Sequence, residues 1–395
     1  MENPFRYGQV VTGEYFTDRE EELAELTLDV RSGQNVVLIS PRRYGKTSLV
    51  KMAMERLRED RVLVAYLDLY PISSRARFVV ELTDAIYRGL LAPLDQVRRR
   101  AIDWLQGLSL RPKITLNQDG TPSFEIAPGT SEADLDGILK GVLELPAQIA
   151  AQRERRVALV LDEFQEVVSI DPNLPALMRT GFQHQAEVAP VFLGRGRHLM
   201  RRLFTDRNQP MYRMAKPFNL KKIAAADLDK FIRHRFASTN LSLDEGVPGR
   251  VLAITDCHPY DTQELCFFLW NLAQTNGHTV TPGMVDKAVE RVLEAEDARY
   301  TTLWDTLSAH RRQVLTALVL YPEGPIFAEA YRFRHELGPA PTVQRALREL
   351  VERDVVEHSP REGYSVPDPF LRTWVARLNG VEIDPAAGGT CSDTG

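Results

Sequence analysis

The sequence predicts an α/β fold with a parallel-sheet core, followed by an α-helical domain and a winged-helix domain. The first observation is a series of short apolar runs that alternate with amphipathic helical patterns over the first half of the chain. Consecutive apolar positions are typical of strands that are buried on both faces. Strands that alternate with helices predict a parallel sheet. The runs lie at residues 35–39, 62–69, 157–161, 191–193 and 218–223.

The second observation is a change of pattern after residue 222, where strand signals disappear for a long stretch. The spacing of apolar residues predicts four helices there, at residues 226–236, 249–255, 260–274 and 282–296. The third observation is three further helices followed by two short strands, which is the order of elements in a winged helix. These elements are predicted at residues 307–321, 327–337, 342–353, 355–358 and 363–366.

The order of these elements divides the chain into four predicted parts. The core comprises residues 1–221 and includes a hairpin insertion at about 111–128, where alternating residues flank a turn signal. Residues 222–303 are predicted to form the helical domain, and residues 304–380 the winged helix. The tail, residues 381–395, ends in small and polar residues and is expected to be disordered.

The composition narrows the classes of function. A chain of 395 residues is too long for one hydrophobic core, which predicts two or three domains. Its net charge of -5 gives no overall attraction to nucleic acid or to an anionic membrane, so DNA binding would need a local basic patch. No apolar run is long enough to cross a bilayer, and the first residues do not resemble a secretory signal. The three cysteines form no C-x-x-C pair. These features favour a cytoplasmic protein without a membrane partner.

The strongest motif lies between the first apolar run and the helix after it. Residues 40–47 match the P-loop pattern at every defined position except the first, where Ser40 replaces glycine. The N–H groups of such a turn and the positive end of the following helix hold phosphate oxygens. We expect Lys46 to reach the β- and γ-phosphates and Thr47 to be a Mg²⁺ ligand. The predicted nucleotide-binding residues here are Ser40, Pro41, Arg42, Arg43, Tyr44, Gly45, Lys46, Thr47 and Ser48.

The third apolar run, residues 157–161, ends in two carboxylates. Asp162 is expected to belong to the Mg²⁺ site, where it orients a Mg²⁺-bound water. Glu163 is expected to polarise the attacking water. Parallel strands that carry these carboxylates and the P-loop end at the same sheet edge, where ligands bind in open α/β sheets. The predicted cofactors are ATP or ADP with Mg²⁺, and the predicted catalytic residues are Lys46, Asp162 and Glu163.

Further motifs extend over most of the chain. They are Asn3-Pro4-Phe5, Phe16 to Glu20, Gly45 to Leu49, Asp162 to Glu166, His258-Pro259-Tyr260 with Gln263, and Tyr364 with Asp368-Pro369-Phe370 and Trp374. In this combination the chain resembles the AAA+-related predicted ATPases of archaea and bacteria, which are close to the STAND class of signal-transducing NTPases. The resemblance implies a P-loop AAA+-type core, a helical lid and a C-terminal winged helix.

The resemblance also implies roles for residues outside the P-loop. Phe16 and Arg19 are expected near the adenine, and the turn with Pro259 is expected to belong to the lid and to pack toward the base. A polar residue after Gly194 is expected to sense the γ-phosphate. Arg195 stands at that position, where the family pattern has serine, and its role as a sensor is therefore open.

Two basic regions have more than one interpretation. Arg195, Arg197, Arg201, Arg202, Arg207 and His198 are suited to γ-phosphate charge, to a nucleic-acid patch, or to a solvated helix face. The predicted recognition helix of the winged helix carries Arg345, Arg348 and Arg353, but also Glu349 and Glu352. This mixture favours a protein contact or self-association over DNA, because phosphate contact needs a surplus of positive charge.

The sequence therefore predicts a slow ATPase in which the nucleotide state controls the positions of the lid and the winged helix. One alternative is a DNA-binding ATPase of the origin-recognition type, which has the same order of domains. The other alternative is a nucleotide-binding interaction module with negligible hydrolysis.

Overall fold

The structure is a computed structural model, and its residues separate into two compact units by their contacts. The first unit contains the described residues of Arg19–Arg42 and Lys46–Lys221, and the second contains those before Arg19, Arg43–Gly45 and those from Lys222 onward. The described residues are 2–10, 13, 19–40, 43–91, 113–116, 122–127, 130–195, 197–220, 222–276, 279–359 and 363–386.

A five-stranded parallel sheet forms the centre of the first unit, as the apolar runs predict. The strands of this unit are β1 (Val36–Ile39), β2 (Leu63–Asp68), β3 (Lys113–Leu116), β4 (Pro122–Glu125), β5 (Val157–Asp162), β6 (Val188–Gly194) and β7 (Lys216–Asn219). The order in the sheet is β2-β5-β6-β1-β7, and β3 and β4 form a separate antiparallel hairpin. Because β1, β5 and β6 are buried along their whole length, their continuous apolar sequences fit a sheet covered on both faces.

Helices connect the strands of the sheet. They are α1 (Glu20–Arg31), α2 (Lys46–Glu59), α3 (Arg75–Ile86), α4 (Glu132–Arg153), α5 (Val167–Ile170), α6 (Leu174–Phe182) and α7 (Arg197–Thr205). The Ser74 and Ser131 side chains accept hydrogen bonds from the first turns of α3 and α4, which fixes where these helices begin. A π-helical turn, Tyr87–Leu91, extends α3.

The fifth strand is the element that the sequence misplaces. The apolar run at 218–223 predicts the strand there, whereas β7 occupies Lys216–Asn219. The register is set by the backbone, since Lys216 N donates to Asn35 O at 2.8 Å and Val36 pairs with Lys216. β7 lies at the edge of the sheet, where a polar sequence that contains Pro217 is tolerated.

The second unit is helical. Its helices are α8 (Ala225–Ala237), α9 (Gly246–Thr255), α10 (Pro259–Asn276), α11 (Pro282–Thr306), α12 (Ala309–Leu320), α13 (Glu329–Arg334), α14 (Ala340–Glu352) and α15 (Pro369–Leu378). The N-terminal segment packs into this unit, because Phe5 is 1% exposed and the Arg235 guanidinium donates to Pro4 O. A short parallel pair, β8 (Ser242–Leu243) and β9 (Thr279–Val280), interrupts the stretch in which the sequence shows no strand signal.

Elements with the order predicted for the winged helix close the second unit. α12, α13 and α14 are followed by the antiparallel strands β10 (Glu357–Ser359) and β11 (Gly363–Ser365), and α15 is an additional helix. α11 is continuous to Thr306 and so crosses the predicted boundary at residue 303. Residues 360–362 between the strands and the tail from 387 lie outside the described residues. Within the described part of the chain, no helix combines the length and apolar character needed to span a membrane.

Candidate nucleotide-binding site

The P-loop segment connects the end of β1 to the start of α2. Ser40 and Ser48 are buried, and the buried Lys46 donates from Nζ to Ser40 O at 3.0 Å. Gly45 has a positive φ of 81° and open space around its missing Cβ, so its backbone conformation, rather than crowding, favours glycine. Pro41 and Arg42 lie outside the described residues.

The three residues Arg43, Tyr44 and Gly45 group with the second unit. Within that unit, the Arg43 guanidinium lies 4.0 Å from the centroid of the Tyr260 ring. The Tyr44 ring meets His258 edge-on, with centroids 5.0 Å apart. The two side chains therefore contact the start of α10, which begins at Pro259.

Asp162 is the hydrogen-bonding centre of the site. Its Oδ2 accepts from the Tyr66 hydroxyl at 2.7 Å and from the Thr47 hydroxyl at 3.3 Å. Its Oδ1 accepts from the backbone N–H of Glu163 at 2.8 Å. The register of the parallel strands places Asp68 beside Asp162 at the ends of β2 and β5. Thr47, in the first turn of α2, therefore lies next to Asp162, at the end of β5, as the sequence predicts.

Burial controls the ionisation of this carboxyl group. Burial raises the pKa of Asp162, and the hydrogen bonds from Tyr66 and the Glu163 backbone counteract only part of this effect. Burial and the nearby charge of Asp162 also raise the pKa of Tyr66, so the phenol remains a donor. Tyr66 belongs to none of the motifs predicted from the sequence. Its position two residues before Asp68, and therefore on the same face of β2, is the signal that points to it.

The side chain of Glu163 is held by two donors. Arg195 Nε and Gln165 Nε2 each donate to Glu163 Oε2 at 2.6 Å. Glu163 also has a positive φ of 52°, which is uncommon for a residue other than glycine. Arg195, which directly follows β6, therefore contacts Glu163, the predicted catalytic carboxylate.

Gly194 permits this arrangement at the end of β6. A Cβ at this position would lie 2.5 Å from Met200 side-chain atoms and 2.8 Å from Gln165 Oε1. The backbone therefore passes close to Gln165 only because no side chain is present. This close approach places the following residue, Arg195, next to the carboxylate of Glu163.

The oxygen atoms of this cluster suit Mg²⁺. The Thr47 hydroxyl and the Asp162 carboxylate are hard oxygen ligands and lie 3.3 Å apart. No group of three or more His, Cys, Asp or Glu side chains that could hold a metal occurs among the described residues. The protein thus offers a partial set of ligands, and Mg²⁺ commonly completes such a set with phosphate oxygens and water.

Of the remaining predicted residues, some are described and others lie outside the described part of the chain. Arg19 is 2% exposed at the start of α1 and pairs with Glu22 at 2.9 Å. Pro259 is the first residue of α10 in the second unit. Phe16 and the side chain of Arg197 lie outside the described residues.

Comparisons with known proteins agree with this fold. A family described as a probable winged helix domain matches residues 298–377. A Walker-type ATPase of Pyrococcus abyssi has a similar structure, with a TM-score of 0.65, 17% identity, and coverage of 94% of this chain and 99% of that chain. The ORC2 protein of Aeropyrum pernix, in ADPNP and ADP complexes, is also similar, with a TM-score of 0.56, 15% identity, and coverage of 98% and 100%. The search of curated proteins gives no match.

These findings confirm the predicted fold class. The chain has a core built on a five-stranded parallel sheet, followed by helices and a C-terminal winged helix, and it shares this fold with the Walker-type ATPase. At 15% and 17% identity the two likenesses concern the fold.

The contact between Tyr66 and Asp162 generates a pH-dependent stability prediction. Burial raises the pKa of Asp162 in the folded state. Ionisation of Asp162 therefore destabilises the fold as the pH rises from the pKa of the unfolded state to that of the folded state. The Tyr66 hydroxyl offsets part of this cost. We expect Tyr66→Phe to lower the free energy of unfolding by about 1–2 kcal/mol at neutral pH, and by less at acid pH, where Asp162 is protonated.

Urea denaturation of the parent and the variant at both pH values measures this difference. Tyr212→Phe is the matched control, because the Tyr212 hydroxyl makes no hydrogen bond to a described residue. An equal loss of stability at neutral and acid pH would show that the Tyr66 hydroxyl does not act through the charge of Asp162.

Proposed function

We propose that this protein binds ATP with Mg²⁺ and slowly hydrolyses it, as an AAA+/STAND-like switch. The observation that supports this most directly is the meeting of two motifs: the Thr47 hydroxyl lies 3.3 Å from Asp162, and Glu163 follows at the end of the same strand. Lys46 lies one residue before Thr47, at the start of α2. In the first unit, the arrangement combines the start of α2, a metal-binding oxygen pair and a carboxylate.

Each residue has a distinct proposed role. The N–H groups at the start of α2 bind phosphate oxygens, and Lys46 supplies a cation for the β- and γ-phosphates. Thr47 and Asp162 hold Mg²⁺, which when bound neutralises phosphate charge. Glu163 orients the attacking water and accepts its proton. The sequence-based assignments of Phe16, Arg19 and Pro259 to the base remain proposals.

The packing within the second unit supports a switch in which lid and winged helix move together. The Arg377 guanidinium of α15 donates to Glu290 of α11 at 2.6 Å, and Trp374 Nε1 donates to Asp297 at 2.8 Å. α11 itself runs from the helical segment into the residues matched by the winged-helix family. A nucleotide-dependent movement of the helical lid would therefore carry the winged helix with it.

One observation favours DNA binding as a second candidate function. Glu349, one of the two acidic residues of α14, forms an ion pair with Arg311 of α12. Arg345 and Arg348 are exposed, with Glu352 as the remaining exposed acid of this helix. The exposed face is thus more basic than the sequence alone indicates, and basic exposed helices are suited to phosphate contacts.

The role of Lys46 can be tested by nucleotide binding. Lys46→Ala removes the cation proposed to meet the β- and γ-phosphates, so we expect ATP affinity to fall by about tenfold or more, which corresponds to the loss of one or two charge-assisted hydrogen bonds. Isothermal titration with ATP and Mg²⁺ measures the change. Lys51→Ala, on the same helix, is the control for the loss of a lysine. A folded Lys46→Ala protein with unchanged ATP affinity would contradict the P-loop assignment.

The role of Glu163 can be tested by separating binding from chemistry. Glu163→Gln keeps the size of the side chain but removes the charge that accepts a proton. We expect ATP and Mg²⁺ binding to be retained and single-turnover hydrolysis to fall by about a hundredfold. If the variant hydrolyses ATP as fast as the parent, the carboxylate at position 163 is not the base. If the parent itself shows no hydrolysis, the protein is a nucleotide-binding interaction module.

Duplex DNA binding distinguishes the two candidate functions of the winged helix. We propose that the winged helix makes protein contacts, and we expect duplex affinity weaker than about 10 μM at moderate salt, as in non-specific binding. Fluorescence anisotropy over a salt series, with and without ATP, measures this. Arg345→Ala/Arg348→Ala is the test variant, and Arg291→Ala is the control. Micromolar or tighter binding that falls steeply with salt and is lost only in the double variant would establish the DNA-binding candidate.

A further inference from the structure

The carboxylate of Glu163 is bound on one oxygen by two protein donors. Arg195 Nε and Gln165 Nε2 both donate to Oε2 at 2.6 Å. The backbone N–H of the same residue donates to Asp162, so the residue is fixed at both ends. Glu163, which is proposed to accept a proton from water, therefore already accepts hydrogen bonds from a guanidinium and an amide.

The surroundings of Arg195 favour this ion pair. Burial opposes the charged form of Arg195, but the hydrogen bond and the charge of Glu163 outweigh this effect and raise its pKa. The guanidinium carbon also lies 5.1 Å from the centroid of the Tyr70 ring, which is largely exposed. With side-chain exposures of 30% and 18%, the pair is partly shielded from water. Such a pair is stronger than one at the open surface but remains accessible to salt.

We propose that Arg195 restrains ATP hydrolysis by holding Glu163 in this ion pair. The proposal rests on the proposed ATPase function and assigns a regulatory role to one residue of the same site. For Glu163 to accept a proton from the attacking water, an oxygen of its carboxylate must face that water and its negative charge must be available. The ion pair shares the charge with a guanidinium and fixes the direction of the carboxylate. Hydrolysis therefore includes the cost of separating or distorting the pair.

Gln165 acts in the same direction. Its amide donates to the oxygen that Arg195 also binds, and the missing side chain at Gly194 leaves room for this amide. Arg195 contributes the positive charge that attracts Glu163, whereas Gln165 contributes a neutral hydrogen bond that orients its carboxylate. Arg195 is thus a positioning residue that acts through Glu163.

The central experiment compares single-turnover hydrolysis at saturating ATP and Mg²⁺ in the parent, Arg195→Gln and Arg195→Lys. Removing the charge in Arg195→Gln should accelerate hydrolysis by about three- to tenfold, because the ion pair is partly exposed and therefore weakened by water. Arg195→Lys keeps a cation without the planar fork and should give a smaller acceleration. Arg58→Gln, an exposed arginine on α2, is the matched control and should hydrolyse ATP at the parental rate.

Two further measurements show whether the effect passes through the ion pair. The double variant Arg195→Gln/Glu163→Gln should be as slow as Glu163→Gln alone, because no carboxylate remains to be released. Added salt should accelerate the parent and leave Arg195→Gln nearly unchanged, since screening weakens only an existing pair. The salt series on the parent also gives an answer if the variants do not fold. ADP affinity, measured in parallel, verifies an intact P-loop.

A fall in hydrolysis in an Arg195→Gln protein that retains ADP affinity would overturn the restraint and make Arg195 a group that assists the reaction. An unchanged rate would overturn it as well, as would a parental rate that does not rise with salt. Failure of the ATPase proposal has a different signature, because the parent would then show no ATP binding or no hydrolysis.

Discussion

The hydrogen bond from Thr47 to Asp162 is the contact on which the candidate site depends. It joins the first turn of α2 to the end of β5, two elements more than a hundred residues apart in sequence. The contact is possible because β1 and β5 run parallel on either side of β6, so that their carboxyl ends lie at one edge of the sheet. Parallel pairing therefore converts two distant motifs into one cluster of oxygen atoms.

Burial of Asp162 disfavours its charged form, and the neighbouring donors offset part of this cost. Asp162 is 6% exposed, and the carboxylates of Asp68 and Glu163 lie near it. A buried carboxylate without partners strongly disfavours its charged form. Tyr66, Thr47 and the backbone N–H of Glu163 supply three donors, which is why a charged group is tolerated at the end of an otherwise apolar strand. A bound cation would add to this stabilisation, so the site is arranged for positive charge.

The sequence predicts the parts of the fold that depend on local pattern. Continuous apolar runs predict strands β1, β2 and β5. The P-loop pattern after β1 predicts that a helix begins at Lys46, where α2 begins. The predictions are less accurate where non-local pairing decides the structure. β7 is displaced toward the N-terminus because its register is set by β1, and a polar edge strand carries little local signal.

The candidate site shows the same division between local and non-local information. Lys46, Thr47, Asp162 and Glu163 are recognisable because each belongs to a short motif with a defined neighbour. The contact between Arg195 and Glu163 joins residues 32 positions apart, and the sequence shows only that an arginine replaces a small polar residue. The donor role of Tyr66 likewise depends on the register between β2 and β5. Pairwise distances of this kind arise from the sheet, so no local pattern encodes them.

In the second unit, one long helix joins the helical segment to the residues matched as a winged helix. α11 has 25 residues and belongs both to the helical segment and to the region matched as a winged helix. Its carboxyl-terminal half presents Tyr300, whose hydroxyl donates to Asp368 at 3.0 Å, at the start of α15. Asp368 also accepts a hydrogen bond from Leu371 N and so caps α15. Rotation of α11 alone would break the hydrogen bond between Tyr300 and Asp368, whereas joint movement of α11 and α15 preserves it. Rigid-body movement is therefore the less costly way for α11 and α15 to change position together.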